Sequence, residues 1–292
     1  MDATTMPWSV GIRFAHASLQ VLAEDHGVDL LHIKGPSVDA SLLDGPRESI
    51  DADVLVRPEH VPRLLDAMHR HGWSTQYRFE DGSAFEHAST LVHPILAPVD
   101  VHRRFPGIDA DASDAFDRLW SERHPAELAG VPCPVPSLPA QRLLLIVHAA
   151  RSGALRHPDI RRCWVDATDT QRDEVVRLAD DIGASVALAA GTGRLDEFVG
   201  EPGYDLWKVL STGERSQARI WAARVRAAPN RRAALRTAVR LVIPNRHRME
   251  ASLGRPPSAR EVASAYGTSA RRGAKELLAV VRSATDRAGG RR

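Results

Sequence analysis

The sequence predicts an α+β protein: a small mixed β-sheet flanked by helices, followed by an all-α C-terminal half. Three observations carry this prediction. Up to about residue 130 the apolar pattern switches repeatedly between helical period and strand-like alternation. The stretch Gly130–Pro139 then places four prolines in ten residues, which helix and central sheet both exclude. Beyond it every periodic segment is helical and rich in Ala, Arg and Leu.

The elements follow in order. Residues 8–26 set Val10, Phe14, Ala17, Leu19, Val21 and Leu22 at helical spacing, and Gly27 ends the helix. Val28–Ile33 is a short apolar run broken by Lys34-Gly35-Pro36, the pattern of a strand entering a turn. Ser37–Leu43 is a short helix stopped by Asp44-Gly45-Pro46, and Ile50–Val56 a strand ended by Arg57-Pro58. Glu59–His71 carries the stripe Val61, Leu64, Leu65, Met68 of a helix closed by Gly72. Trp73–Tyr77, Thr90–Leu96 and Val99–His102 read as strands, with a loop or hairpin over Glu80–His87. Helices are expected at 140–150, 162–169, 172–190, 216–228 and 231–242, with a frayed end. The division is therefore 1–130, a Pro-rich linker 131–139, and a helical, Arg-rich 140–292.

Composition narrows the function. A chain of 292 residues, 43% hydrophobic and 26% charged, suits two ordinary globular domains or one large one. Its two cysteines, Cys133 and Cys163, are too few for a disulfide framework or a zinc ligand set. No run approaches the roughly eighteen apolar residues of a membrane span, and the first residues lack the basic and apolar regions of a secretion signal. A cytoplasmic protein without a membrane partner is expected. The net charge of +2 conceals a segregation: residues 213–292 hold 19 of the 39 Lys and Arg but 5 of the 37 Asp and Glu. Clustered Arg suits a phosphate-rich partner, or coats a basic layer docked on an acidic domain. Lysine occurs only at positions 34, 208 and 275, which marks Lys34 as a place where Arg does not serve.

Asp51 and Asp53 are two apart on a predicted strand, so both carboxylates leave one face of the sheet. Charges that close repel unless a cation lies between them, and a pair of Mg²⁺ ions fits carboxylate oxygens while leaving positions for substrate phosphates. Asp100 supplies a third carboxylate if its strand lies beside the first. Three such carboxylates hold two metals across an in-line phosphoryl displacement, the chemistry of nucleotide transfer. The glycine turn before the pair can present backbone N–H groups to a triphosphate, and Lys34 adds a cation there or is a surface lysine.

The segments Ile33-Lys34-Gly35-Pro36-Ser37, Arg47-Glu48-Ser49-Ile50-Asp51-Ala52-Asp53-Val54-Leu55-Val56 and Val99-Asp100-Val101-His102 together resemble the polymerase-β-like nucleotidyltransferase superfamily, and within it the uncharacterised nucleotidyltransferases. The resemblance continues through Leu144–Ala149 and Arg161–Asp169. It implies that Asp51, Asp53 and Asp100 are catalytic and bind metal, Asp100 assisting the attacking hydroxyl. It also implies that Gly35 and Ser37 form the phosphate turn. Pro36 removes one backbone N–H from that turn, shifting the burden to Lys34 and the Ser37 hydroxyl. Arg47 and Ser49 precede the acids, where Arg47 pairs with phosphate or with a carboxylate that orders the loop.

His102 falls on the face of Asp100, as an acid or base or as a group orienting Asp100. His93, His87 and His32 rank lower, and Arg103 and Arg104 meet phosphate or cap the sheet edge. His148 and Asp166 line the cleft or are structural; Trp164, Trp207 and Trp221 are core; Cys133 is inert. The expected activity is Mg²⁺-dependent transfer of an NMP from an NTP to an acceptor hydroxyl of RNA or tRNA, a peptide or a small molecule. The alternative is a non-catalytic nucleic-acid-binding or interaction protein with a degenerate transferase domain. No P-loop or kinase catalytic loop is present.

Overall fold

A computed structural model describes residues 6–43, 45, 49–82, 85–153, 157–213 and 255–267, and single residues at 220, 223, 225, 232, 249 and 253. Helix α1 (Trp8–Asp25) leads into β1 (Leu30–Ile33), two 3₁₀ turns (Gly35–Ser37 and Ala40–Leu42) and β2 (Ala52–Val56). A further 3₁₀ turn, Pro58–His60, opens α2 (Val61–Arg70), followed by β3 (Ser74–Tyr77), the helical turn α3 (Phe79–Gly82), β4 (Ala88–Val92) and β5 (Val99–His102). Then come α4 (Ala112–Ser121), β6 (His124–Leu128), β7 (Val131–Val135), α5 (Leu138–Arg151), α6 (Pro158–Ile160) and a π-helical turn at Arg161–Val165. Helices α7 (Asp169–Asp181), α8 (Ser185–Thr192) and α9 (Tyr204–Ser211) complete the described elements. The architecture is the expected α+β one.

The five-stranded sheet has the order β1-β2-β5-β4-β3, with β2 and β5 parallel and the other neighbours antiparallel. Strand alternation divides its residues between two cores. Leu30, Val54, Val56, Val99 and Val101 pack on α1 and α2 with Ile12, Leu19, Leu64 and Met68. Leu31, Ile33 and Leu55 face the other way, into a core with Phe116 of α4 and with Leu144, Val147 and Trp207 from the helical half. Asp53 lies opposite Ile33 on one side and opposite Asp100 on the other, so both acids share this second face. The helical half thus closes over the side of the sheet that carries the acids.

Helix α5 is buried almost all round, the signature of a helix at the centre of its layer. The loop after β5 reaches it closely: a side chain at Gly107, whose φ is +97°, would meet Trp207, Val147 and Ala187 within 3 Å. Only glycine permits both that conformation and that approach. Helix α7 is held at its start by a capping box between Thr168 and Gln171.

Several local expectations are revised. On α1, Val10, Phe14 and Val21 are exposed, whereas Ile12, Ala15, His16, Leu19 and Gln20 are buried. The helix turns a partly polar face inward because His32 on β1 supplies partners for it. The first half of the expected linker is β7, an antiparallel partner of β6 whose Cys133 and Val135 are buried. Pro132 and Pro134 alternate with those two residues, so the two-stranded ribbon tolerates the missing donors on its outer side. The expected helix at 37–43 is two 3₁₀ turns, and the loop at 80–87 begins with α3. The helices expected at 216–228 and 231–242, and most of the basic tail, fall on residues outside the described ones apart from single positions. No helix among the described residues is long and apolar enough to cross a membrane.

A candidate active site at the edge of the parallel strand pair

The parallel register of β2 and β5 sets Asp53 directly beside Asp100. Asp51 sits one residue before β2, in a bend after the exposed Ile50. Asp53 is buried and takes two contacts on Oδ1: Lys34 Nζ at 2.5 Å and His102 Nε2 at 2.7 Å. The Lys34 ammonium and the His102 hydrogen bond hold its carboxyl below the usual carboxylate range, against the opposing effect of burial. Asp51 behaves oppositely: partial burial and then the charges of Asp53 and Asp100 push its carboxyl up to about 7.

His102 is fully buried, which lowers its pKa, so the ring is neutral and its Nε2–H donates to Asp53. Its Nδ1 has no hydrogen-bond partner among the described residues. The sequence led us to expect His102 to orient Asp100; its partner is Asp53, which it reaches diagonally from its register position opposite Leu55. Asp100 is oriented instead by the Thr90 hydroxyl, which donates to Oδ1 at 2.6 Å from the neighbouring β4. Thr90 escaped the sequence reading because nothing in the sequence tells which strand pairs with β5.

The turn before the acids is built as a support. Lys34 has φ 60° and ψ −171°, a region nearly reserved for glycine, which costs about 1–3 kcal/mol for another residue. That backbone aims the ammonium at Asp53. Gly35, at φ +50°, lies against Ser49: an added Cβ would stand 3.2 Å from its Oγ. Ser49 Oγ donates to the Asp51 carbonyl at 2.7 Å, so turn and acidic bend are locked together. The Ser37 hydroxyl donates to the Lys34 carbonyl at 2.6 Å, which commits its proton to the turn itself. Arg47 lies outside the described residues.

The other candidates separate clearly. His87 is buried 5.1 Å from the His102 ring and accepts from Arg151 Nη1 at 3.0 Å; burial, then the neighbouring His102 and Arg151, lower its pKa to about 2. His148 Nδ1 lies 3.5 Å from Arg151 Nη2. Arg151 itself, at the C-terminal end of α5, was not singled out by the sequence, where it is one arginine among many. His32 lies on the opposite face of the sheet, bonded to His16 and Gln20. His93 packs on Trp73, and Asp166 pairs with Arg161 at 3.5 Å. Arg103 and Arg104 donate to the carbonyls of Glu86 and Phe85. Trp207 is core and Trp164 packs against it, while Trp221 is outside the described residues. Burial pushes the Cys133 thiol up to about 12, consistent with an inert cysteine.

The donor chemistry suits a hard divalent cation. One ligand atom each from Asp53, Asp100 and His102 lies within 4.8 Å of the others, and Asp51 adds a carboxyl raised by burial and then by the charges of Asp53 and Asp100. A cation bound among these carboxylates would offset the mutual repulsion that adds to burial in raising Asp51. His102 is the weaker donor of the group, since its Nε2 proton already belongs to Asp53.

Comparison with known proteins identifies a family. A family model described as an uncharacterised nucleotidyltransferase matches residues 12–200. Among curated proteins none matches. Among solved structures, the chain is similar to the lincosamide antibiotic adenylyltransferase LnuA with lincomycin bound, at 17% identity over 56% of this chain and 94% of that one, with a TM-score of 0.33. It is also similar to ANT(2″)-Ia in complex with adenylyl-2″-tobramycin, at 15% identity over 64% of this chain and 98% of that one, with a TM-score of 0.38.

Proposed function

The chain belongs to the uncharacterised nucleotidyltransferase family, and on that premise we propose that it transfers an NMP from an NTP to an acceptor hydroxyl and releases pyrophosphate. The observation that carries this reading is the placement of Asp53 beside Asp100 on parallel strands, with Asp51 two residues upstream and a cationic glycine turn against them. Asp51, Asp53 and Asp100 would hold Mg²⁺, which when bound offsets triphosphate charge and makes the acceptor hydroxyl more acidic.

The chain's own groups then divide the work. Asp100, steadied by Thr90, takes the proton of the acceptor hydroxyl as its oxygen forms a bond to the α-phosphorus. The bond from that phosphorus to the bridging oxygen breaks, and its electron pair leaves with pyrophosphate. His102 keeps the Asp53 carboxylate ionised and oriented by donating from Nε2. Lys34 balances the negative charge of the acid cluster and serves the phosphates. Gly35 and Ser49 keep the turn against the acids.

The acceptor is an RNA or tRNA end, a peptide, or a small hydroxylated molecule, and the Arg-rich segment 213–292 makes RNA the first to try. The protein is incubated with Mg²⁺ and either α- or γ-labelled NTPs in a cell extract. Label from the α position alone, in RNA, protein or a small molecule, supports the proposal and identifies the acceptor class. Transfer from γ alone, or no transfer together with no Mg·NTP binding by calorimetry, overturns it. For RNA, binding should fall steeply with salt and less steeply once Arg231, Arg232 and Arg236 are neutralised.

A further inference from the structure

Resting on the nucleotidyltransferase reading, we infer that Arg151 of the helical half is the receptor for the β- and γ-phosphates of the NTP, and so for the departing pyrophosphate. Its guanidinium is gripped by two imidazole nitrogens, His87 Nε2 at 3.0 Å and His148 Nδ1 at 3.5 Å. Both are lone-pair acceptors, so they orient the fork without neutralising it. The Phe85 ring flanks the group at 5.9 Å. Among the described residues no carboxylate lies within ion-pair distance of Arg151, unlike Lys34, which touches Asp53.

An arginine held in this way has no counter-ion among the described residues, an arrangement that is costly unless a ligand supplies one. Burial accordingly lowers its pKa, while the fields of Asp53 and Asp100 act in the other direction. Its contact with His87, whose ring lies 5.1 Å from that of His102, the hydrogen-bond partner of Asp53, places Arg151 beside the cluster on the acid-bearing face of the sheet. Of the two substrates, the acceptor need offer only a hydroxyl, whereas the triphosphate must bring several negative charges past the acids. A planar fork standing off from the carboxylates matches the part of the triphosphate beyond the α-phosphorus. Charge building on the bridging oxygen as that bond breaks would meet the same fork.

Because α5 is packed on α7, α8 and α9, this group is delivered by the helical half to a site whose carboxylates all come from the sheet. The helical half is then part of the nucleotide site, beyond any role in acceptor binding.

The test uses the full chain, with calorimetric titration of Mg·pyrophosphate, Mg·ATP and AMP into wild type, Arg151→Gln and Arg151→Lys. The proposal predicts that Arg151→Gln weakens pyrophosphate and ATP by about 10- to 100-fold and leaves AMP affinity within about twofold. Arg151→Lys, which keeps the charge and loses the fork, should fall between and guards against misfolding of the glutamine variant. Unchanged pyrophosphate and ATP affinity in the folded variants overturns the assignment of Arg151 while leaving nucleotidyl transfer by the wild type intact. Equal weakening of AMP also overturns it, by making Arg151 a support for the whole site. Failure of the wild type itself to bind Mg·ATP overturns the assignment together with the activity on which it rests.

Discussion

Lys34 Nζ and Asp53 Oδ1 lie 2.5 Å apart, joining a residue in a glycine-like backbone conformation to the most buried acid of the cluster. This contact explains why a left-handed position holds lysine: the conformation is tolerated because it delivers the ammonium. Lys34→Gly should therefore be more stable than Lys34→Ala by about 1–2 kcal/mol, since only alanine keeps the strain after the ion pair is gone. Both variants should lose transfer. Urea midpoints of the pair check the first point, and equal or reversed stabilities would refute it.

The two acids of the Asp-x-Asp pair should separate in stability although both are needed for transfer. Asp53→Asn leaves Lys34 and His102 buried beside a neutral group and should cost about 3–5 kcal/mol. Asp51→Asn relieves repulsion by Asp53 and Asp100, so stability should stay the same or rise. Either change should lower transfer by about 1,000-fold or more. Thermal melts alongside transfer assays decide the matter.

Thr90→Val preserves shape and removes the hydroxyl that donates to Asp100. The expected result is a loss in kcat of about 10- to 100-fold, by analogy with the loss of partners that orient ligands, with little change in KM for NTP. A variant with wild-type kcat would remove Thr90 from the mechanism.

On the far face of the sheet the hydrogen bonds dictate the tautomers. Gln20 Nε2 donates to Glu24 at 2.8 Å, so its Oε1 accepts from His32 Nε2 at 3.1 Å. His32 Nδ1 then accepts from His16 Nδ1 at 2.8 Å, leaving the buried His16 Nε2 without a partner among the described residues. Burial lowers the pKa of both rings, that of His16 to about 4. Below pH 6.5 the unfolded chain takes up protons that the folded chain refuses. This stability is fully present above pH 6.5 and declines toward pH 4, by about 1.4 kcal/mol per pH unit for each histidine. Asp51 acts in the opposite sense, as its carboxyl titrates higher in the folded state. Comparing wild type with His16→Gln isolates the histidine: the variant's stability should fall less steeply between pH 6 and pH 4.5. Parallel curves would contradict the lowered pKa of His16.

What the sequence determined by itself was set by short-range pattern. Alternation placed Asp53 and Asp100 on strands, the Lys34-Gly35 break marked the turn, and Ala- and Leu-rich periodicity made the second half helical. These features depend on neighbours within a few residues, where steric and hydrophobic rules act directly. Tertiary structure decided the rest because it depends on which strands pair and which faces meet. The parallel β2–β5 register made His102 a partner of Asp53, the β4 neighbour gave Asp100 its Thr90, and α5 brought in Arg151. The inward face of α1 was misread for the same reason: His16 and Gln20 are buried only because His32 faces them from β1. A side chain's chemistry is written in the chain, but its partner is chosen by the packing of segments far apart in sequence.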